Sequence, residues 1–241
     1  MKRTENSRKH SGRYILIALA ALVIFLTVAF FSYVGDYRHA DETAVALLES
    51  NASIRQEGNL TILTPDADRD SGTGLIFYPG GKVEDTAYLP LLEQIRAGGV
   101  TVVLIRMPFR LAVFDIQAAD TVFGAVPSVS RWYLGGHSLG GAMASSYVKG
   151  NESRLSGLIL LGAYPVNDSA IDTLCLYGSE DIQLDKSKLT NVANVLKIEG
   201  GNHAQFGNYG LQEGDGTASI SREAQQEQAA SAMLAFMLPA N

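Results

Sequence analysis

"RWYLGGHSLGGAMASS", residues 131–146, joins an apolar run to a run of small residues, with Ser138 at the seam. RWYLGG reads as a strand and SLGGAMASSYVKG as a helix that starts abruptly after it. A chain that passes from strand to helix at one residue has no room for side chains on either flank. Gly136 and Gly140 supply hydrogens there. Such a turn lifts the serine hydroxyl clear of the sheet, and the helix start beneath it favours developing negative charge. Ser138 is therefore a candidate nucleophile.

The surrounding chain alternates in type. NLTILTP, TGLIFYPGG, VTVVLIRMP, LSGLILLGAYP, TLCLYGSED and NVLKIEGGNH are apolar or β-branched runs of strand length. Between and after them, EDTAYLPLLEQIRAGG, FDIQAADTVFGAV and SISREAQQEQAASAMLAFML have helical spacing, the last with its start at Ser219-x-x-Arg222-Glu223. This order predicts an α/β domain with a mostly parallel sheet covered by helices on both faces. Ligands of such sheets bind beyond the C-terminal ends of the strands, where the glycine-rich and charged loops of this chain fall.

A serine hydroxyl needs a base, since it is barely ionised at neutral pH. Of the four histidines, His10 precedes the long apolar run and His39 precedes the first strand. His137 lies inside the turn, where its ring cannot reach the adjacent Oγ. His203, in the loop EGGNHAQFGNYG after an apolar strand, is the candidate base. The base in turn needs a carboxylate. Glu180, Asp181 and Asp185 follow the strand TLCLYG, and Asp181, three residues past Gly178, is close enough to the strand end to be held firmly; Asp168, after the preceding strand, is the rival. Two N–H donors complete the requirement. One is the amide of Leu139, and the other is that of Gly81 or Lys82 in the turn YPGGK.

Composition excludes several classes. A formal charge of −6 does not suit a nucleic-acid binder, and the single cysteine, Cys175, permits neither an internal disulfide nor a multi-cysteine metal site. No H-E-x-x-H occurs, and no cofactor motif asks for a bound group. The apolar excess is concentrated in residues 14–34, YILIALAALVIFLTVAFFSYV, long enough for a bilayer core of about 30 Å. Lys2, Arg3, Arg8, Lys9 and Arg13 precede it, so the positive-inside rule predicts a cytoplasmic N-terminus and an extracytoplasmic body. The run exceeds the apolar core of a cleavable leader and is followed by no small-residue cleavage signal, so it reads as an uncleaved anchor. The expected division is a basic segment 1–13, an anchor 14–34, a stalk or first helix 35–58 and a catalytic domain 59–241.

Gly136-His137-Ser138-Leu139-Gly140 with its context resembles the nucleophile elbow of the α/β-hydrolase superfamily, over about residues 59–238. GGHSLGGAMAS, YPGG and GGNHAQFGNYG…GDG together look like a bacterial, often membrane-anchored branch related to dienelactone hydrolases, with serine where those enzymes use cysteine. The resemblance implies Ser138, Asp181 and His203 as triad, in the chain order of that fold, and Gly81 and Leu139 as oxyanion donors. No long insertion marks a cap, so the expected activity is a serine hydrolase acting on small or exposed carboxylic esters. A non-catalytic binding protein on the same fold and an envelope acyltransferase are the alternatives.

Overall fold

The computed structural model describes residues 3–238, with side chains from Arg13 onward. They form two units that divide between Tyr37 and Arg38. The first is a single helix, α1 (Arg3–Gly35). Its portion Arg13–Gly35 is long and apolar enough to cross a membrane. At 1.5 Å per residue these 23 residues rise about 35 Å.

The second unit is built on one eight-stranded sheet. Its strands are β1 (Ile54–Glu57), β2 (Leu60–Leu63), β3 (Thr73–Tyr78), β4 (Val100–Ile105), β5 (Arg131–His137), β6 (Gly157–Leu161), β7 (Thr173–Gly178) and β8 (Asn194–Ile198). They lie in the order β1-β2-β4-β3-β5-β6-β7-β8. β1 and β2 run antiparallel to their neighbours, and β3 to β8 are parallel. The mostly parallel sheet is the expected one.

Strand periodicity divides the core. Leu75 and Phe77 of β3, with Val102 and Leu104 of β4, pack on one face beneath α3 (Leu89–Ala97) and α6 (Arg222–Met237). Ile76, Tyr78, Val103 and Ile105 point the other way, to α4 (Asp120–Ala125) and α5 (Leu139–Val148). The central strands are buried on both faces, hence their unbroken apolar sequences. Cys175 lies in this core, and burial pushes its thiol up to about 12. From β6 the chain reaches β7 through residues 162–172 alone, so no lid covers the sheet there.

Four expectations change. Residues 54–57, read as part of a stalk or first helix, form an edge strand paired with β2. The stretch 38–41 is also part of the body. Arg38 bridges Val83, and α2 (Glu42–Ser50) starts from Asp41, whose carboxylate accepts from the Ala44 amide at 3.0 Å. The helix expected over 114–126 breaks into short 3-10 turns and the six-residue α4, because Asp115 takes a non-helical backbone (φ −152°, ψ 71°) and Pro127 forbids continuation. The last helix starts at Arg222. Ser221, not Ser219, caps it by accepting from the Ala224 amide at 3.1 Å.

Two backbones come very close where α5 begins. A Cβ on Gly140 would collide with the carbonyl oxygens of Tyr78 and Pro79, which are backbone and cannot swing aside. Gly140→Ala is expected to cost about 1–3 kcal/mol of stability through overpacking, read as a lower midpoint in denaturant unfolding.

Candidate active site

Four loops meet at the C-terminal ends of the strands. Ser138 follows β5 directly and takes φ 52°, ψ −123°, a left-handed conformation that a side chain normally avoids. Two hydrogen bonds hold it there. Its amide donates to the Leu161 carbonyl at 2.9 Å, and its carbonyl accepts from the Ala142 amide at 3.0 Å.

Asp181 lies three residues beyond β7 and is fully buried. Its Oδ1 accepts from the amides of Gln183 and Leu184, each at 3.0 Å. Its Oδ2 accepts from His203 Nδ1 at 2.8 Å. Both oxygens are thus satisfied, which is what burying a carboxylate requires. With Nδ1 carrying the hydrogen, His203 Nε2 is left with a bare lone pair. That atom is buried and has no partner among the described residues. His203 and Ser138 line the same cavity of about 200 Å³, together with Leu139, Ala142, Tyr164 and Leu184. No Ser138–His203 hydrogen bond is formed; contacts of this kind often tighten only around a bound substrate.

The other carboxylates lie elsewhere. Asp168 is exposed and lines a second cavity of about 550 Å³ with Asp172 and Lys188, which shares only Val166 with the first. Asp185 bonds Ser187, and Glu180 accepts from the Ser179 hydroxyl. The structure therefore brings Asp181, and not these three, to His203.

The donors are also sorted. The Gly80 amide is taken by the Tyr88 hydroxyl at 3.0 Å and the Lys82 amide by the Arg110 carbonyl at 2.9 Å. Among the described residues neither the Gly81 nor the Leu139 amide is engaged. The two residues are adjacent in space, since a Cβ on Gly81 would lie 2.8 Å from Leu139 Cδ2. Among the described residues, Lys82, Phe109, Arg110 and Ser138 are the non-glycine residues with positive φ; Lys82 and Ser138 adjoin this pair in sequence, and Arg110 accepts from the Lys82 amide. Backbone strain of this sort collects where a structure holds groups for use.

In the sequence alone, the tail HAQFGNYGLQEGDGTASIS has no chemical role beyond shaping the pocket around His203. The structure gives it one, since these residues fix the His203 loop. Asp215 accepts from the Ala204 amide at 2.8 Å, and Asn202 donates to the Gly216 carbonyl at 2.8 Å. From α6, buried Gln225 exchanges hydrogen bonds with the Asn202 backbone, and Gln226 donates to Asn208 at 2.9 Å. Asn208 in turn donates to Asp41, which also pairs with Arg222 at 2.9 Å. Among the described residues no three His, Cys, Asp or Glu side chains are grouped to hold a metal.

A left-handed serine after a central parallel strand, a buried Asp–His pair two loops away and paired free amides define the architecture of an α/β hydrolase. The chain belongs to that family: a model described as "Alpha/beta hydrolase family" matches residues 74–227. Solved structures share the fold at low identity. An α/β serine hydrolase without lid from Xanthomonas campestris is 13% identical, with 76% of this chain and 90% of that one covered and a TM-score of 0.52. Est1E of Butyrivibrio proteoclasticus, solved with ferulic acid bound, is 14% identical over 73% and 94% of the two chains, with a TM-score of 0.54. A Thermus thermophilus protein is 13% identical over 78% and 99%, also with a TM-score of 0.54. No curated protein matches by sequence.

His137 imposes an acid limit on stability. It is 1% exposed, and burial, aided by the nearby His203, holds its pKa well below the usual histidine value. The unfolded chain takes up a proton near pH 6.5 that the folded one refuses. This contribution is complete above that pH and is lost as pH falls toward the folded pKa. Denaturant unfolding at pH 5 is expected to give a stability lower by up to about 2 kcal/mol than at pH 7.5 from this group. That increment should vanish in His137→Gln.

Proposed function

We propose that this protein is a membrane-anchored serine hydrolase that cleaves small or exposed carboxylic esters. The observation that carries the reading is the Asp181–His203 pair. It is buried at 0% and 2% exposure, and its remaining nitrogen is unpartnered at the cavity that Ser138 lines. His203 Nε2 takes the Ser138 proton as Oγ attacks the ester carbonyl, and Asp181 stabilises the imidazolium through Nδ1–H. The Gly81 and Leu139 amides receive the negative charge of the tetrahedral oxygen. Collapse expels the alcohol, which leaves with the proton from His203. Water then repeats the sequence on the acyl-enzyme, releasing the acid and restoring Ser138.

The small cavity and the lidless sheet support a short or surface-accessible ester. The apolar run 14–34 with its basic flank supports a single-pass anchor, residues 1–13 cytoplasmic and the catalytic body on the outer face of a bacterial membrane. Within the family, the motifs named above favour the branch related to dienelactone hydrolases, with serine as nucleophile.

A fluorophosphonate probe is expected to label Ser138 in the wild type and neither Ser138→Ala nor His203→Ala, with the adduct mapped by mass spectrometry. Failure to label folded wild-type protein would remove the reading. Asp181→Asn should lower kcat on short-chain esters by about 10³- to 10⁴-fold, since it leaves the imidazole in the wrong tautomer. An Asp168→Asn control should stay near wild type.

A further inference from the structure

His137 cannot serve the adjacent serine as base, yet it is buried with both ring nitrogens engaged. The hydrogen-bond directions around it are fixed by groups with no choice. The Gly80 amide can only donate, and it does so to Tyr88 Oη at 3.0 Å. The His203 carbonyl can only accept, and it stands 3.1 Å from His137 Nε2. Nε2 therefore carries the hydrogen. A neutral imidazole has one N–H, so Nδ1 is bare and accepts from the Tyr88 hydroxyl at 2.7 Å. The result is a one-way run: Gly80 N–H to Tyr88, Tyr88 O–H to His137, His137 Nε2–H to the His203 backbone. Burial keeps the imidazole neutral and the phenol protonated, which are the forms this run needs.

The two ends of the run are the two loops the chemistry must hold in register. Gly80 precedes the peptide whose N–H is the Gly81 donor, and His203 is the base. The approach is close: a Cβ on Gly80 would lie 2.6 Å from Tyr88 Oη and 2.8 Å from His137 Nδ1. The His137 and His203 rings pack with centroids 4.6 Å apart. We propose that Tyr88 and His137 are positioning residues of the hydrolytic site, setting the Gly81 amide and the His203 base at fixed distance through the buried Gly80–Tyr88–His137–His203 run. This rests on the serine-hydrolase reading and adds to it two residues that touch no substrate.

Tyr88→Phe removes one oxygen and keeps the ring packing against Phe77 and Tyr209. A separate backbone bond, from the Asn208 amide to the Ala87 carbonyl at 2.7 Å, still ties the two segments. With a short-chain ester, kcat is expected to fall about 10- to 100-fold while KM changes less than threefold, because misaligned donors act on the transition state. His137→Gln, whose amide can reach the His203 carbonyl, should recover part of the kcat lost in His137→Ala. A Tyr88→Phe protein with lowered Tm and unchanged kcat would overturn the role, as would equal losses in His137→Gln and His137→Ala. Nitrogen-15 shifts of the wild-type His137 ring give a reading independent of turnover. The Nε2–H tautomer is expected, and the Nδ1–H tautomer would overturn the run even in an active enzyme. Absent labelling of Ser138 with the Nε2–H tautomer present would instead overturn the hydrolase reading, and the catalytic role of the run with it.

Discussion

At the junction of β5 and α5 the first turn of the helix rests directly on the backbone of Tyr78 and Pro79, with only the hydrogens of glycine between. Gly136 faces the same crowding from the other side, against the backbone of Gly140 and Gly141. Once two backbones approach so closely, the residue between them has little freedom. Ser138 is driven to positive φ at a cost of about 1–3 kcal/mol. That cost is offset by the sheet itself, because the Ser138 amide continues the hydrogen bonding of β5 onto the end of β6. The fold and the presentation of Ser138 to the cavity are consequences of one contact. The same contact brings the end of β3, and so Gly80 and Gly81, beside Leu139.

Electrostatics impose the complementary constraint. A carboxylate without exposed surface is tolerable only when its lone pairs are filled, and Asp181 is filled by two amides of its own turn and by the His203 imidazole. His203 is then oriented from three directions. Asp181 fixes the ring, His137 fixes the carbonyl, and Asn202 with Asp215 fixes the backbone on either side. Gly162, at φ 54°, leaves the space these groups occupy, since a Cβ there would lie 2.8 Å from His203 Nδ1. In the role of base proposed above, a ring held so firmly would lose little entropy on reaching a transition state.

Much of this was legible in the residues because it rests on local rules. The glycine spacing around Ser138 reports a steric requirement within five positions. Elimination singled out His203 because the chain has so few histidines. Apolar strands announced the sheet. What stayed hidden depends on contacts between distant segments. β1 is a short polar edge strand, IRQE, with no apolar face to signal it. Neither Ser219 nor Ser221 can be chosen as cap without knowing that the Ser219 amide is drawn to the Gly200 carbonyl. Spacing favoured Asp181 with Asp168 as rival, and only burial and the bond to His203 separate them. The second use of His137 was invisible for the same reason, since its partners come from α3's leading turn and the loop after β8.

The stretch Arg38–Asp41 carries a different kind of consequence. Arg38 exchanges backbone bonds with Lys82 and Glu84, and the Asp41 amide donates to the Asn208 carbonyl. The four residues at the start of the body are thus stitched to the donor loop at one end and to the histidine loop at the other. A junction used in this way is not interchangeable cord. Its length and identity are constrained by the active centre, so drift in the segment preceding the body must stop at Arg38. A leader borrowed from another protein would have to leave Arg38–Asp41 in place.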